Sequence, residues 1–223
     1  MRGRRTRRCV AASMFLALAA AVCPAAGQTA GSSETTAGAA GGPSEWEHSA
    51  SLYGYLIPDG SDYLVPMLSS DKGRLHLEGR YNYEAAKTGS IFAGWNFSTG
   101  ETCLFEATAM AAVIFGDVRG AAPAYRMTLE YKRLDLYTEG EYVFDSEGSE
   151  GDFFYAWTEV SYRPVDWFRV GAVGQRTRLY ETGLDIQRGI LLGFTKGPMD
   201  FTGYVFNFDL DNPTGVLAAT INY

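Results

Sequence analysis

The chain has 223 residues, a formal net charge of −7 at pH 7 and 46% hydrophobic residues. This acidic balance argues against nucleic acid as a partner, because nucleic-acid-binding surfaces carry an excess of positive charge. The chain has three cysteines, two of which, Cys9 and Cys23, lie near its start. This number is too small for a disulfide-rich scaffold. The length is that of one domain of ordinary size.

The first 27 residues are organised like a secretory signal peptide. Five arginines at positions 2–8 precede an apolar run, residues 10–22, that is too short to span a bilayer. Small residues at positions 25–27 then predict cleavage after Gly27. A lipoprotein signal would use Cys23, but Val22 stands where that signal has a small residue. Cleavage leaves 14 basic and 26 acidic residues, a net charge of −12.

Residues 28–45 consist almost entirely of Gly, Ala, Ser and Thr. Such a segment cannot bury enough apolar surface to fold, so we predict a flexible tether. The folded domain then covers residues 46–223.

From Trp46 onward the chain consists of short apolar runs separated by turn signals, and no stretch keeps a period of 3.6 residues. These runs predict an all-β protein. We place twelve strands, with ten or fourteen as alternatives, at residues 47–57, 62–69, 74–84, 89–97, 102–115, 124–132, 134–144, 153–162, 167–180, 184–195, 200–209 and 215–223.

The third of these segments has the strictest alternation. Successive strand residues point to opposite faces, so one face carries Leu75, Leu77, Gly79, Tyr81 and Tyr83, and the other carries His76, Glu78, Arg80, Asn82 and Glu84. A transmembrane barrel turns the apolar face to lipid. A soluble β-sandwich or lipocalin-like barrel turns it to a core, so alternation alone leaves both open.

The connections between the predicted strands alternate in length. Tight turns such as 98–101 and 163–166 alternate with longer segments such as 116–123 and 146–152. Outer-membrane barrels have short turns and both chain ends on the periplasmic side, with longer loops outside. The pattern therefore favours an antiparallel transmembrane β-barrel with short periplasmic turns. Pro66 lies inside a predicted strand, where we expect a bulge or an early strand end.

The last strand carries a second indication. Counting back from Tyr223, Ile221, Ala219, Leu217 and Gly215 alternate with polar residues. A final strand that alternates and ends on an aromatic residue resembles the recognition signal of Gram-negative outer-membrane β-barrel proteins. These proteins usually end on Phe, so Tyr223 is a departure. The resemblance implies a bacterial outer-membrane location, contact with outer-membrane lipid and insertion by the barrel assembly machinery, and it names no subfamily.

Aromatic residues are placed as a membrane protein requires. Amphipathic rings collect at membrane interfaces because one part is apolar and another can form hydrogen bonds. We predict interface positions next to the periplasmic ends of strands at Trp46, Trp95, Trp167 and Tyr223.

The faces opposite the apolar ones are polar along most strands. A charge facing hydrocarbon costs about 2–4 kcal/mol near the bilayer midplane, so these faces must line the lumen. Inward aromatics at Tyr137, Trp157 and Phe201 would narrow that lumen. The predicted lumen-lining residues are His76, Glu78, Arg80, Asn82, Glu130, Glu139, Glu141, Glu159, Arg169, Gln175, Arg176, Arg178, Asp185 and Gln187.

Three arginines fit this division poorly. Simple alternation turns Arg176, Arg178 and Arg188 toward lipid. A bulge near Gly174 and Gln175 would instead bring Arg178 opposite Asp185 and Arg176 opposite Gln187 inside the barrel, and we favour this interpretation for those two. Alternatively, the three arginines bind lipopolysaccharide phosphates on the outer face. We predict this role for Arg188.

The chemistry expected of the chain is that of a channel. We predict a passive pore for small polar or cationic solutes; the alternative is a filled barrel with a structural or interaction role. A lipid-modifying barrel enzyme is a weaker alternative, since His48 beside Ser49 and Ser51 has no assigned acid. His76 with Glu78 could form an acid–base pair or half a metal site, but a lumen ion pair is the simpler interpretation. We predict no catalytic residue, metal or cofactor.

Overall fold

The computed structural model describes residues 45–58, 60–176 and 186–223. The predicted signal peptide and residues 28–44 of the predicted tether lie outside this described part. The described residues form twelve antiparallel strands, and no helix among them is long and apolar enough to cross a membrane. The strands are β1 Glu47–Leu56, β2 Tyr63–Lys72, β3 Leu75–Tyr81, β4 Thr88–Thr99, β5 Cys103–Gly116, β6 Gly120–Tyr131, β7 Leu134–Asp145, β8 Phe153–Val165, β9 Phe168–Arg176, β10 Ile186–Lys196, β11 Met199–Phe206 and β12 Thr214–Asn222.

The sheet closes on itself. Each strand pairs with the next along the chain, and β12 pairs with β1 in a register that joins Ser49 to Asn222 and Leu56 to Gly215. Closure leaves no free sheet edge, so backbone N–H and C=O groups within the ladders find partners in neighbouring strands. The predicted all-β barrel of twelve antiparallel strands is confirmed.

The two ends of the barrel differ in their connections. One end, which we call the terminal rim, holds the start of β1, the end of β12 and short turns at residues 73–74, 100–102, 132–133, 166–167 and 197–198. At the opposite end, the loop rim, most connections are longer. Gly73 and Gly197 begin two of the tight turns in the left-handed region, with φ of 58° and 59°. Glycine adopts this conformation more readily than other residues because it has no Cβ.

The outer face of the barrel is apolar. Leu68 on β2, Val113 on β5 and Ile186 on β10 are each more than 60% exposed, and these three strands are spread around the barrel. On β3, Leu75 and Leu77 are exposed, whereas Glu78 and Arg80 are only 4% and 6% exposed. A soluble barrel would show the reverse arrangement, so this distribution requires an apolar medium around the sheet.

Two local expectations were wrong. β2 continues through Pro66, which pairs with Leu52 without a register shift. No bulge is needed there because the ladder between β2 and β3 begins only at Met67 and Arg80, so Pro66 lies beyond its end. The alternation of β3 ends at Tyr81. Asn82 takes a left-handed conformation, with φ of 57°, and turns Tyr83 into the barrel rather than toward lipid.

Candidate functional site

The barrel interior contains an open, solvent-accessible cavity at the terminal rim. This cavity has a volume of about 520 Å³, and we call it the vestibule. Its position follows from the strand ends that line it, including Ser49 at the start of β1 and Asn222 at the end of β12. Among the described residues, seven carboxylates and three guanidinium groups line it: Glu78, Glu130, Asp135, Glu139, Glu159, Asp166 and Asp200, with Arg126, Arg163 and Arg169.

One charge cluster is centred on Glu78 of β3. Its carboxylate accepts hydrogen bonds from Nε of Arg80 and, at 2.6 Å, from the guanidinium of Arg126 on β6. Nε2 of His76 lies 3.3 Å from the same carboxylate, and its Nδ1 lies 2.8 Å from Asp71. His76 is therefore held between two carboxylates, as a lumen network requires. In the described part of the chain, no group of three His, Cys, Asp or Glu residues suits a metal ion.

Glu139 and Glu141 on β7 extend this cluster across the lumen. Glu139 accepts hydrogen bonds from the hydroxyl of Tyr83 at 2.5 Å and that of Tyr137 at 2.7 Å. Arg126 lies 3.7 Å from Glu139, and Arg80 lies 3.6 Å from Glu141. β3, β6 and β7 are thus tied together through the interior. The attraction between these opposite charges offsets the cost of removing them from bulk water, although Glu141 has Arg80 nearby without a hydrogen bond.

A second charge cluster surrounds Arg169 of β9. Its guanidinium donates to Glu159 at 3.1 Å, Asp200 at 3.2 Å and Thr202 at 2.6 Å. Glu159 also accepts from the Trp157 indole and the Tyr204 hydroxyl, each at 2.8 Å. Strands β8, β9 and β11 are therefore joined by charge-assisted hydrogen bonds on the inner wall.

The half of the interior near the loop rim is filled with packed apolar side chains. Described side chains there form two apolar clusters. The first comprises Val65, Tyr83, Tyr155, Trp157, Val173, Leu191, Tyr204, Phe206 and Val216. The second comprises Phe92, Met110, Ala112, Ile114, Ala122 and Val143. Tyr53, Tyr137 and Tyr204 both line the vestibule and pack in or against the first cluster, so they form its floor.

The structure places most of the predicted lumen residues on the inner wall. His76, Glu78, Arg80, Glu139, Glu141, Glu159, Gln175 and Gln187 are buried there, and Glu130 and Arg169 face the vestibule. Asn82 lies beyond the end of β3, where its amide donates to the Leu64 carbonyl at 3.1 Å. Arg178 and Asp185, and with them the predicted pairing of the two, lie outside the described residues.

Arg176 does not lie in the lumen. The register between β9 and β10 runs without a shift from Phe168 opposite Phe194 to Arg176 opposite Ile186. Without the predicted bulge, Gln175 faces Gln187 inside and Arg176 is exposed on the outer face. Its guanidinium lies 5.7 Å from the Phe154 ring centre.

Arg188 is also on the outer face, two residues along β10 from Ile186, which pairs with Arg176. It forms an ion pair with Asp209 in the loop after β11. The hydrogen bond from Arg188 holds the pKa of the Asp209 carboxyl below its ordinary value. This arginine therefore has a partner in the protein near the loop rim, independent of any lipid.

The sequence also misplaced one aromatic residue, Phe201, and missed one inner arginine, Arg126. Phe201 is 45% exposed on the outer face, because Thr202 and Tyr204 hold the inner positions of β11. Aromatic residues on both faces of this strand hid the alternation. Arg126 was missed although it shares its face with Thr128 and Glu130, a spacing of two that could have identified it.

The predicted interface aromatics are exposed on the barrel. Trp46 stacks on His48 at 6.3 Å between ring centres, and Trp167 stacks on Phe194 at 6.2 Å. Trp95 and Tyr223 are also exposed. Nδ1 of His48 lies 2.8 Å from the hydroxyl of Ser70, not from the neighbouring serines that suggested catalysis.

Comparison with known sequences finds no match: no family model matches the chain, and neither does any curated protein. Solved structures match its fold. The KdgM porin matches with a TM-score of 0.57 at 12% identity, over 78% of this chain and 98% of that chain. The KdgM porin in complex with disordered oligogalacturonate matches with a TM-score of 0.56 at 11% identity, over the same shares. Omp33 of Acinetobacter baumannii matches more weakly, with a TM-score of 0.46 at 10% identity over 81% of this chain and 99% of that chain. The chain therefore has the fold of the Gram-negative outer-membrane β-barrel porins, which confirms the resemblance carried by its terminal strand without assigning a subfamily.

Proposed function

We propose that this chain is a bacterial outer-membrane channel for small polar and cationic solutes. The observation that carries the proposal is the acidic vestibule of about 520 Å³, which opens at the terminal rim and reaches half-way through the barrel. A purely structural barrel has no need of an open, charged cavity in one half. Water and ions can enter this space, and its charge selects among them.

The apolar outer face supports the membrane location. Side chains such as Ile91 and Leu217 would expose large apolar areas to water in a soluble protein, whereas in a bilayer they contact lipid tails. Both chain ends of bacterial barrels of this class lie in the periplasm, so the vestibule would open there. This orientation agrees with export by a cleaved signal peptide.

The vestibule favours cations because its carboxylates outnumber its guanidinium groups seven to three among the described residues. Arg163 and Arg169 are each paired with an acid, at 2.9 Å to Asp135 and 3.2 Å to Asp200. The remaining carboxylates leave a negative potential in a low-dielectric wall, which raises the local concentration of cations. This argues against an anionic solute such as the oligogalacturonate in the KdgM porin complex.

Ion selectivity in planar bilayers tests this proposal. Reconstituted protein in a salt gradient should give a reversal potential of the sign that marks cation preference. Glu130→Gln removes one vestibule carboxylate and should reduce that preference. Glu147→Gln, in the exposed loop 146–152 at the other rim, is the matched control and should not. Anion preference in the wild type, or equal effects of the two variants, would contradict the proposed selectivity.

A second candidate is a closed barrel with a structural or interaction role in the envelope. It is favoured by the ion pairs that cross the lumen, such as Arg126 with Glu78, and by the packed apolar clusters of the loop half. A folded barrel can be identified in gel electrophoresis because its mobility changes when the sample is heated. Folded protein that never conducts, in the wild type and in the variants described below, would favour this candidate over the channel.

Two partners belong to the same proposal. Arg176 and Arg188 lie on the outer face near the loop rim, where guanidinium groups can bind lipopolysaccharide phosphates. The terminal strand, ending at Tyr223, presents the alternating pattern that the barrel assembly machinery reads. Truncating Tyr223 should lower the yield of inserted barrel in cells more than it lowers refolding in detergent.

A further inference from the structure

We propose that the loop between β3 and β4, residues 82–87, is the gate of the channel and that Tyr83 is the residue that closes it. This inference rests on the proposed channel function and adds to it the position of the closure. It starts from the unusual direction of this loop, which enters the barrel instead of extending into solvent.

The loop is short, and its backbone follows an inward course. Tyr83 and Glu84 are 8% and 2% exposed although neither belongs to a strand. Asn82 and Lys87 both take left-handed conformations, with φ of 57° and 54°. The side-chain oxygen of Asn82 accepts from the Lys87 N–H at 2.8 Å, which closes the loop on itself. Loops normally run over the surface, so burial of this one requires specific contacts inside.

Tyr83 makes those contacts at the seam between the two apolar clusters. Its ring packs edge-on against Tyr155 of the first cluster, with ring centres 5.0 Å apart. The Arg80 guanidinium lies 4.2 Å from the Tyr83 ring centre and 4.2 Å from that of Phe92, which belongs to the second cluster. Tyr83 and Arg80 therefore fill the space between a wall formed mainly by β8–β12 and a wall formed by β4–β7.

The seam lies directly behind the vestibule. The Tyr83 hydroxyl donates to Glu139, whose carboxylate also lines the vestibule. A passage from the vestibule to the loop rim would thus have to begin where the Tyr83 side chain now sits. Most other side chains in the two clusters come from strands, which cannot leave the wall without breaking the barrel. Tyr83 is carried by a loop, which can move.

The closed position also includes an unfavourable group. Both carboxylate oxygens of Glu84 are buried, and no described group gives them a hydrogen bond of normal geometry. Burial disfavours the charged carboxylate despite the nearby Ser90 hydroxyl and Arg80, and moving the loop outward would return it to water. The favourable contacts of Tyr83 and the unfavourable burial of Glu84 act in opposite directions. That balance is what allows a loop to open without unfolding the protein.

Variants at Tyr83 test the gate in planar bilayers. Tyr83→Phe keeps the ring and removes only the hydrogen bond to Glu139, so it should fold and shift the closed–open equilibrium toward open by roughly tenfold. Tyr83→Ala also removes the ring and should give long-lived open channels. Tyr81→Ala is the matched control, because Tyr81 lies two residues away on the outer face. It should conduct like the wild type.

The outcomes separate the gate from the channel. If the wild type conducts and all three variants conduct equally, the gate is wrong and the channel stands. If the wild type and all variants fold, as judged by heat-modifiable gel mobility, and none of them conducts, both the channel and the gate are contradicted. A rise in open probability confined to the two Tyr83 variants is the expected result.

Discussion

Replacing Glu84 with Gln should stabilise the barrel, although it removes a native charge. Glu84 is 2% exposed and its oxygens have no hydrogen bond of normal geometry from the described residues. Burial raises the pKa of this carboxyl above its ordinary value. The ionised form is therefore disfavoured in the folded state relative to the unfolded chain, in which the group is hydrated.

The sign of the pH dependence follows from this shift. A group whose folded-state pKa is raised contributes its full stability below its unfolded pKa and loses it as the pH rises through the folded pKa. The wild type should thus lose stability through Glu84 from about pH 4 upward. Gln resembles the protonated acid and does not ionise, so this loss should disappear. An unsatisfied buried group costs about 1–3 kcal/mol, so at pH 8 we expect Glu84→Gln to be more stable by about 1–2 kcal/mol.

Urea unfolding in lipid vesicles, followed by tryptophan fluorescence, measures this difference. The variant and the wild type should have similar free energies of unfolding near pH 4 and diverge toward pH 8. Glu147→Gln, on an exposed loop, controls for loss of a negative charge in general and should follow the wild type. A Glu84→Gln variant that is less stable than the wild type by the same amount at both pH values would refute the reasoning.

The remaining predictions concern the inner and outer walls. Arg169→Met leaves Glu159 and Asp200 without their shared cation and should cost about 2–4 kcal/mol, reduced from the value for a fully buried pair because Arg169 also meets vestibule water. Arg163→Met removes a more exposed pair and should cost less than about 1 kcal/mol in the same urea titration. Leu217→Arg places a charge on the outer face in the middle of β12 and should cost about 2–4 kcal/mol in vesicles, whereas Thr128→Arg, in the vestibule, should cost far less. Equal costs for these last two variants would mean that the outer face does not meet lipid.

The sequence predicted the barrel because one rule, the alternation of strand residues, holds along most of the chain. On β3 it placed His76, Glu78 and Arg80 on one face, and the structure buries all three. The same rule applied to β9 places Arg176 outside. We departed from it by adding a bulge to avoid a charge facing lipid, and the departure was wrong. An arginine near the loop rim lies close enough to the membrane surface for its guanidinium to reach polar groups, so no bulge was required.

Contacts across the lumen could not be predicted in the same way. Arg126 on β6 meets Glu78 on β3, three strands away, and which pairs meet depends on the stagger with which the sheet closes. Alternation fixes the face of a residue but not its height in the barrel. The inward turn of Tyr83 depends on one left-handed residue, Asn82, in a loop whose partners lie on other strands.

The two halves of the interior explain why alternation was clear on some strands and weak on others. Near the loop rim both faces of the sheet are apolar: Phe92 and Ile114 lie inside, while their neighbours Ile91 and Val113 lie outside. Near the terminal rim the inner face is charged and the outer face is not. A barrel that were only a pore would have a polar lumen along its whole length, and one that were only structural would have no reason to stay wet at one end. In the proposed channel, the transition between the halves is where passage would be controlled, and it is occupied by Glu139, Arg80 and a tyrosine carried by a loop.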